Sequence, residues 1–190
     1  MKIETIEKIL NFLNTKENKK LPKKWFDSIE KLKLIYELEN HPDGIQYRYK
    51  GNLELSDSNI TKLPNDLYVE GFLDLKRCKE LTKLPYNLYV GSYLSLYGCQ
   101  QLTELPNKLF VGGFFSLDSC KKITELPDKL HVGDFFSLDS CKKITELPNN
   151  LYVGGNLWLA NTPLANNYTD DEIIEMIDSK GGTLIGQIVR

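Results

Sequence analysis

Histidine, paired cysteines, excess charge of one sign and long apolar runs are all scarce in this sequence, and each scarcity removes a class of function. Only two histidines occur, His41 and His131. Neither lies in an H-E-x-x-H motif, and there is no G-x-S-x-G elbow, P-loop or G-x-G-x-x-G turn. The residues point away from an enzyme, and no metal or cofactor is expected. Basic residues number 24 and acidic residues 26, a formal net charge of −2 over 190 residues. A chain so balanced has no strong field to gather nucleic acid or an anionic membrane surface. No apolar run approaches the ~18–20 residues that span a bilayer. The stretch MKIETIEKILNFLNTKENKK is broken by Glu4, Glu7 and Lys8, which reads as an amphipathic helix rather than a secretory signal. The cytoplasm is therefore the expected compartment.

What is present is regularity. The four cysteines, Cys78, Cys99, Cys120 and Cys141, are spaced by 21 residues each time. Zinc sites and disulfide frameworks use short or paired spacings, so a strict interval marks one structural slot recurring once per repeat. Leu-Pro recurs at the same interval at 63–64, 84–85, 105–106, 126–127 and 147–148, and FFSLDSCKKITELP appears twice without change, at 114–127 and 135–148. The unit is LPxxLyVgGxLxLxxCxxLTxLP. Six strand segments fit it, GNLEL (51–55), GFLDL (71–75), SYLSL (92–96), GFFSL (113–117), DFFSL (134–138) and GNLWL (155–159). The first unit is a residue short and carries Ser58 in the cysteine slot. The last leaves the pattern after Leu159, as the end units of a solenoid must, since they meet solvent or a cap.

Within VGGFFSL, period-two alternation predicts a strand with Val111, Phe115 and Leu117 inward and Phe114, Ser116 and Asp118 outward. Cys120, Ile123, Leu126 and Leu130 complete the interior, and Pro127 suits a returning extended or short 3₁₀ segment. His131 shares a slot with Tyr68, Tyr89, Phe110 and Tyr152 and reads as a back-wall side chain. The lysines after Cys120 and Cys141 would activate a thiol only if it were exposed; the pattern turns the cysteines inward as a structural ladder.

The run LSLYGCQQLTELP (94–106) resembles the leucine-rich repeat, with cysteine in its Asn/Cys ladder slot. The Leu-Pro punctuation is similar to that of bacterial and phage members of that family. The resemblance implies an α/β solenoid with a parallel sheet lining a concave surface and extended or 3₁₀ segments behind it. One departure is visible, since Val111 stands four positions before the first strand residue of the motif rather than three. The expected organisation is a helical N-terminal cap at 1–50, six repeat units at 51–164 and a C-terminal cap helix and strand at 165–190. In the first cap, Ile3, Ile6, Leu10 and Leu13 form one stripe; a second helix from Pro22 aligns Trp25, Ile29, Leu32 and Tyr36 and stops before HPDG (41–44). Ile45, Tyr47 and Tyr49 then alternate as a strand. In the last cap TDDE (169–172) is a capping box on Thr169, Gly181 or Gly182 ends the helix, and TLIGQIV (183–189) forms a final strand.

The candidate site is the outward face of the repeat strands. One column holds Phe72, Tyr93, Phe114 and Phe135, expected to stack into a ridge of about 15 Å at the usual strand spacing. Beside it run Asp74, Ser95, Ser116, Ser137 and Trp158, then Tyr97, Asp118 and Asp139. Exposed aromatics in such a ridge favour a non-catalytic module that binds another protein, and the family resemblance suggests an effector or an inhibitor of a host or bacterial enzyme, acting in the host-cell cytoplasm if it is delivered there. Self-association into a homodimer or scaffold, and a small enzyme with a reactive thiol, are the alternatives.

Overall fold

In this computed structural model, residues 31, 34–42 and 44–190 are described. The helix expected over 1–14 lies outside them, as do Trp25, Ile29 and Leu32. Residues 34–39 are helical (α1) and end in a turn at Asn40, ahead of His41. Leu38, rather than Tyr36, is the residue of α1 that is buried in the core.

The repeats wind into a parallel β-solenoid with two sheets, each seven strands deep. The first sheet contains β1 (Tyr47–Tyr49), β3 (Leu67–Val69), β5 (Tyr89–Val90), β7 (Phe110–Val111), β9 (His131–Val132), β11 (Tyr152–Val153) and β13 (Thr183–Leu184). The second contains β2 (Leu53–Glu54), β4 (Leu73–Asp74), β6 (Leu94–Ser95), β8 (Phe115–Ser116), β10 (Phe136–Ser137), β12 (Leu157–Trp158) and β14 (Ile188–Val189). Each coil contributes one strand to each sheet, and successive coils stay in register, as in Leu94↔Phe115↔Phe136↔Leu157.

The single strand expected through VGGFFSL is thus two strands with a bend at Gly112–Gly113. That bend absorbs the extra residue between Val111 and the LxL motif. The cause is steric. A Cβ on Gly112, Gly133 or Gly154 would stand 2.1–2.2 Å from the carbonyl oxygen of the glycine one coil earlier, so only glycine lets the coils stack this closely there. Two further corners close each coil, and both use left-handed backbone. Asp57, Arg77, Ser119, Ser140 and Asn161 turn the chain into the cysteine slot, and Asp66, Asn87, Lys108, Lys129 and Asn150 turn it into the next core leucine, with φ of 52–62° throughout. Gly98 takes the first of these corners in its own coil at φ 70°.

The core is a stack of identical layers. Leu53, Leu73, Leu94, Phe115, Phe136 and Leu157 form one buried column, Leu55, Leu75, Leu96, Leu117, Leu138 and Leu159 a second, and Val69, Val90, Val111, Val132 and Val153 a third. Each buried side chain of this size contributes roughly 1.5–3 kcal/mol. The Leu-Pro return segments are extended, with no 3₁₀ turn among the described residues, and make one isolated bridge, Lys83↔Glu104.

At the far end, α2 (Pro163–Asn167) is a short helix capped by Thr162, which the sequence reading did not anticipate. α3 (Asp170–Ser179) opens on the expected capping box, Thr169 with Glu172, and buries Ile173 and Ile177 while leaving Ile174 exposed. Gly181, at φ 72°, turns the chain out of it. TLIGQIV then forms two short strands instead of one. Leu184 pairs with Val153 and Ile188 with Leu157, so the segment copies the bend of the repeats and adds a last strand to both sheets.

Candidate functional site

Each sheet presents one outward column of rings, and the two columns behave differently. On the first sheet the alternation of Leu67 and Val69 inward leaves Tyr68 facing out, and the same holds one coil after another. Tyr68, Tyr89, Phe110, His131 and Tyr152 therefore form a continuous stack with centroids 4.3–4.8 Å apart and planes within 5°. The Arg48 guanidinium covers its open end, 4.6 Å from the Tyr68 centroid, and is itself bonded to Glu70 at 3.0 Å. His131 is thus a rung of a surface ladder and not a back-wall side chain. Partial burial in the stack holds its imidazole below the usual histidine range, favouring the neutral ring. Within this column ring faces are spent on one another, and only Tyr152 at its far end is exposed, at 36%.

The second sheet carries the predicted site residues. Phe72 and Tyr93 stack at 4.4 Å, but the ridge of four rings does not form, because neither Phe114 nor Phe135 joins that stack. The Phe135 ring leans across the space left by Gly155, its Cδ1 2.6 Å from where a Cβ would stand. Phe135 is 42% exposed, and Tyr97 and Trp158 on the same face are 41% and 39% exposed. Ser116 and Ser137, expected as an open strip, are buried and form the floor. Ser137 Oγ donates to Asp118 Oδ1, and Ser116 Oγ accepts from the Asp118 backbone N–H at 3.4 Å. Asp139 Oδ1 accepts from Ala160 N at 2.8 Å, and Asp74 Oδ1 from Lys76 N at 2.9 Å. Burial, with Asp118 nearby, raises the Asp139 carboxyl above its ordinary range. Lys76 Nζ lies 5.1 Å from the Tyr97 centroid, a cation over a ring. Ser95 is half-buried, with Asp74 and Ser116 as its neighbours across the sheet.

The cysteine slot is a hydrogen-bonded ladder inside the coil. Cys78, Cys99, Cys120 and Cys141 Sγ each donate to a carbonyl of the preceding coil, Leu55, Leu75, Leu96 and Leu117, all at 3.1 Å. Burial pushes the Cys99 and Cys141 thiols up to about 12 and raises Cys78 and Cys120 as well. The lysines that follow, at 121, 122, 142 and 143, are exposed and turned away. Ser58 fills the slot at one end, 3.5 Å from Cys78 Sγ. Thr162 fills it at the other, a repeat position the sequence reading passed over. Its hydroxyl donates to Leu159 O and accepts from Ala165 N, which converts the last rung into the cap of α2.

A groove of about 980 Å³ follows the Leu-Pro segments. Its rim carries the exposed Lys62, Lys83, Glu104 and Glu125, and His41 at one end is bonded to Ile45 O at 2.9 Å. No group of three or more potential metal ligands occurs among the described residues, and no helix among them is long and apolar enough to cross a membrane. No protein-family model, curated protein or solved structure matches the chain.

Proposed function

We propose that the protein is a non-catalytic binding module of leucine-rich-repeat type, and that the outward face of its second sheet grips another protein. The observation that carries this reading is the contrast between the two ring columns. The first sheet's rings close on each other and gain their stabilisation internally. On the second sheet the stack ends with Phe72 and Tyr93, Phe135 and Trp158 stand exposed on the same face, and Tyr97 is exposed there with Lys76 over its ring. Large apolar groups held open on a rigid face mark an interaction surface, and Trp and Tyr are the residues that anchor such contacts.

The repeat type rests on the ladder slot, where a thiol, or at the first end a serine, stands once per coil and the cysteines bond the coil before. A rigid, non-catalytic face suits an effector, or an inhibitor that sits on a host or bacterial enzyme. Four free cysteines suit a reducing compartment such as the cytoplasm. The test is capture of partners from the native host by tagged wild-type protein and by a Phe114→Ser/Phe135→Ser variant that melts at the same temperature. The variant is expected to lose a partner that the wild type retains; equal capture of that partner by both proteins would refute the reading.

A further inference from the structure

Resting on that reading, the geometry points to the chemistry of the partner: we infer that the C-terminal half of the second-sheet face receives an arginine- or lysine-bearing segment of a protein, one cation lying between Asp118 and Asp139 and neighbouring residues of the segment lying against Phe135 and Trp158. The outward positions of this sheet carry four carboxylates, Glu54, Asp74, Asp118 and Asp139, against one ammonium, Lys76, a formal charge of −3. The chain as a whole is nearly neutral, so the excess is local to this face.

The two halves of the face are unequal. In the N-terminal half the protein supplies its own cation, with Lys76 over Tyr97. In the C-terminal half the corresponding positions hold Asp118 and Asp139, on a face that also carries the exposed rings of Phe135 and Trp158, and the outward columns there contain no basic residue. Of the lysines around the neighbouring corners, Lys142 donates to Asn161 O at 2.9 Å and Lys122 bonds Gln101, while Lys121 and Lys143 are exposed. Both carboxylates are held in place through Oδ1, by Ser137 and by the Ala160 N–H, and neither Oδ2 has a hydrogen-bond or ion-pair partner among the described residues.

This is a pre-positioned acceptor pair. Asp118 and Asp139 sit in the turns that follow two adjacent strands, which lie about 4.8 Å apart, so a guanidinium fork can meet both carboxylates while neighbouring residues of the same segment run back along the strands toward the rings. Phosphate-bearing partners, nucleic acid and anionic membranes are disfavoured by the same charges.

The inference is tested by fluorescence or calorimetric titration with three probes, the peptides acetyl-(Arg-Gly)4-amide, its citrulline counterpart and its glutamate counterpart. The wild type is expected to bind the arginine peptide and to bind the other two at least about tenfold more weakly. Asp118→Asn/Asp139→Asn, which keeps the shape and the Oδ1 acceptors, is expected to lose about the same factor, and wild-type affinity is expected to fall with added salt. Equal binding of the citrulline peptide, an unchanged double variant or a salt-independent affinity would overturn the inference. So would a wild-type dimer that Phe135→Ser turns into a monomer, since the face would then receive a second copy. Should the double variant fail to fold, the citrulline comparison and the salt series on the wild type decide. Failure here with the Phe114→Ser/Phe135→Ser variant still losing its host partner removes only the cationic chemistry, whereas retention of that partner removes the binding face itself.

Discussion

A thiol in the ladder slot combines properties that few side chains share. It is small enough to sit in a tight layer, apolar enough to be buried at little cost, and still able to donate to a backbone carbonyl. Cys120 uses all three, bonding Leu96 O at 3.1 Å while fully buried. The same burial suppresses the thiolate, with Cys99 and Cys141 pushed up to about 12. Iodoacetamide at mildly alkaline pH is therefore expected to leave all four cysteines unlabelled in the folded protein and to label them after unfolding; one fast-reacting cysteine in the native state would contradict the assignment. Replacing Cys120 separates packing from hydrogen bonding. Cys120→Ala is expected to cost about 1–2 kcal/mol in denaturant unfolding, and Cys120→Ser, which keeps a donor, less than that. The reverse order would mean that volume alone matters in the slot.

At the scale of the element, the bend between the two strands of each coil depends on a column of glycines. A methyl group on Gly133 would stand 2.1 Å from Gly112 O, which belongs to backbone and cannot rotate away. Gly133→Ala is expected to lose about 2–4 kcal/mol by thermal or chemical unfolding, far more than an exposed substitution elsewhere on the coil; a loss below about 0.5 kcal/mol would show that the coils are less tightly stacked than described. Helix α3 carries its own signature. The Thr169 backbone N–H bonds Glu172 at 2.7 Å, and this bond, with the Thr169 hydroxyl, holds the Glu172 carboxyl below its usual range. A depressed folded pKa means that the contribution is complete above the ordinary glutamate range and is lost as pH falls through the folded value. Glu172→Gln is thus expected to lower the melting temperature near neutral pH and to have a smaller effect in acid. An equal shift at both pH values would contradict the capping assignment.

At the scale of the whole molecule, the solenoid was legible because its period is written in residues with one physical use, such as the cysteines and the Leu-Pro pairs. The two-sheet cross-section was not. Val111 and Phe115 are four apart, an even number, so period two places them on one face whether or not the chain bends at Gly112–Gly113. The spacing departure at that point was the available sign. The ladder of Tyr68, Tyr89, Phe110, His131 and Tyr152 was equally present in sequence, since Leu67 and Val69 inward force Tyr68 outward, but a one-strand reading sent the column to the back wall. The candidate face was legible in its residues but not in its arrangement. Which rings stack depends on where Gly155 leaves space, and which serines are covered depends on side-chain packing across coils; neither follows from a column of letters. The exposed rings of the second sheet, not the stacked column of the first, are the predicted binding surface. The most direct test is the affinity of a captured host partner, once purified, for wild type, for Phe114→Ser/Phe135→Ser and for His131→Ser/Tyr152→Ser. The prediction is a loss of at least about tenfold for the first variant and a change of less than about twofold for the second. A loss confined to the His131/Tyr152 variant would place the contact on the first sheet and overturn that assignment.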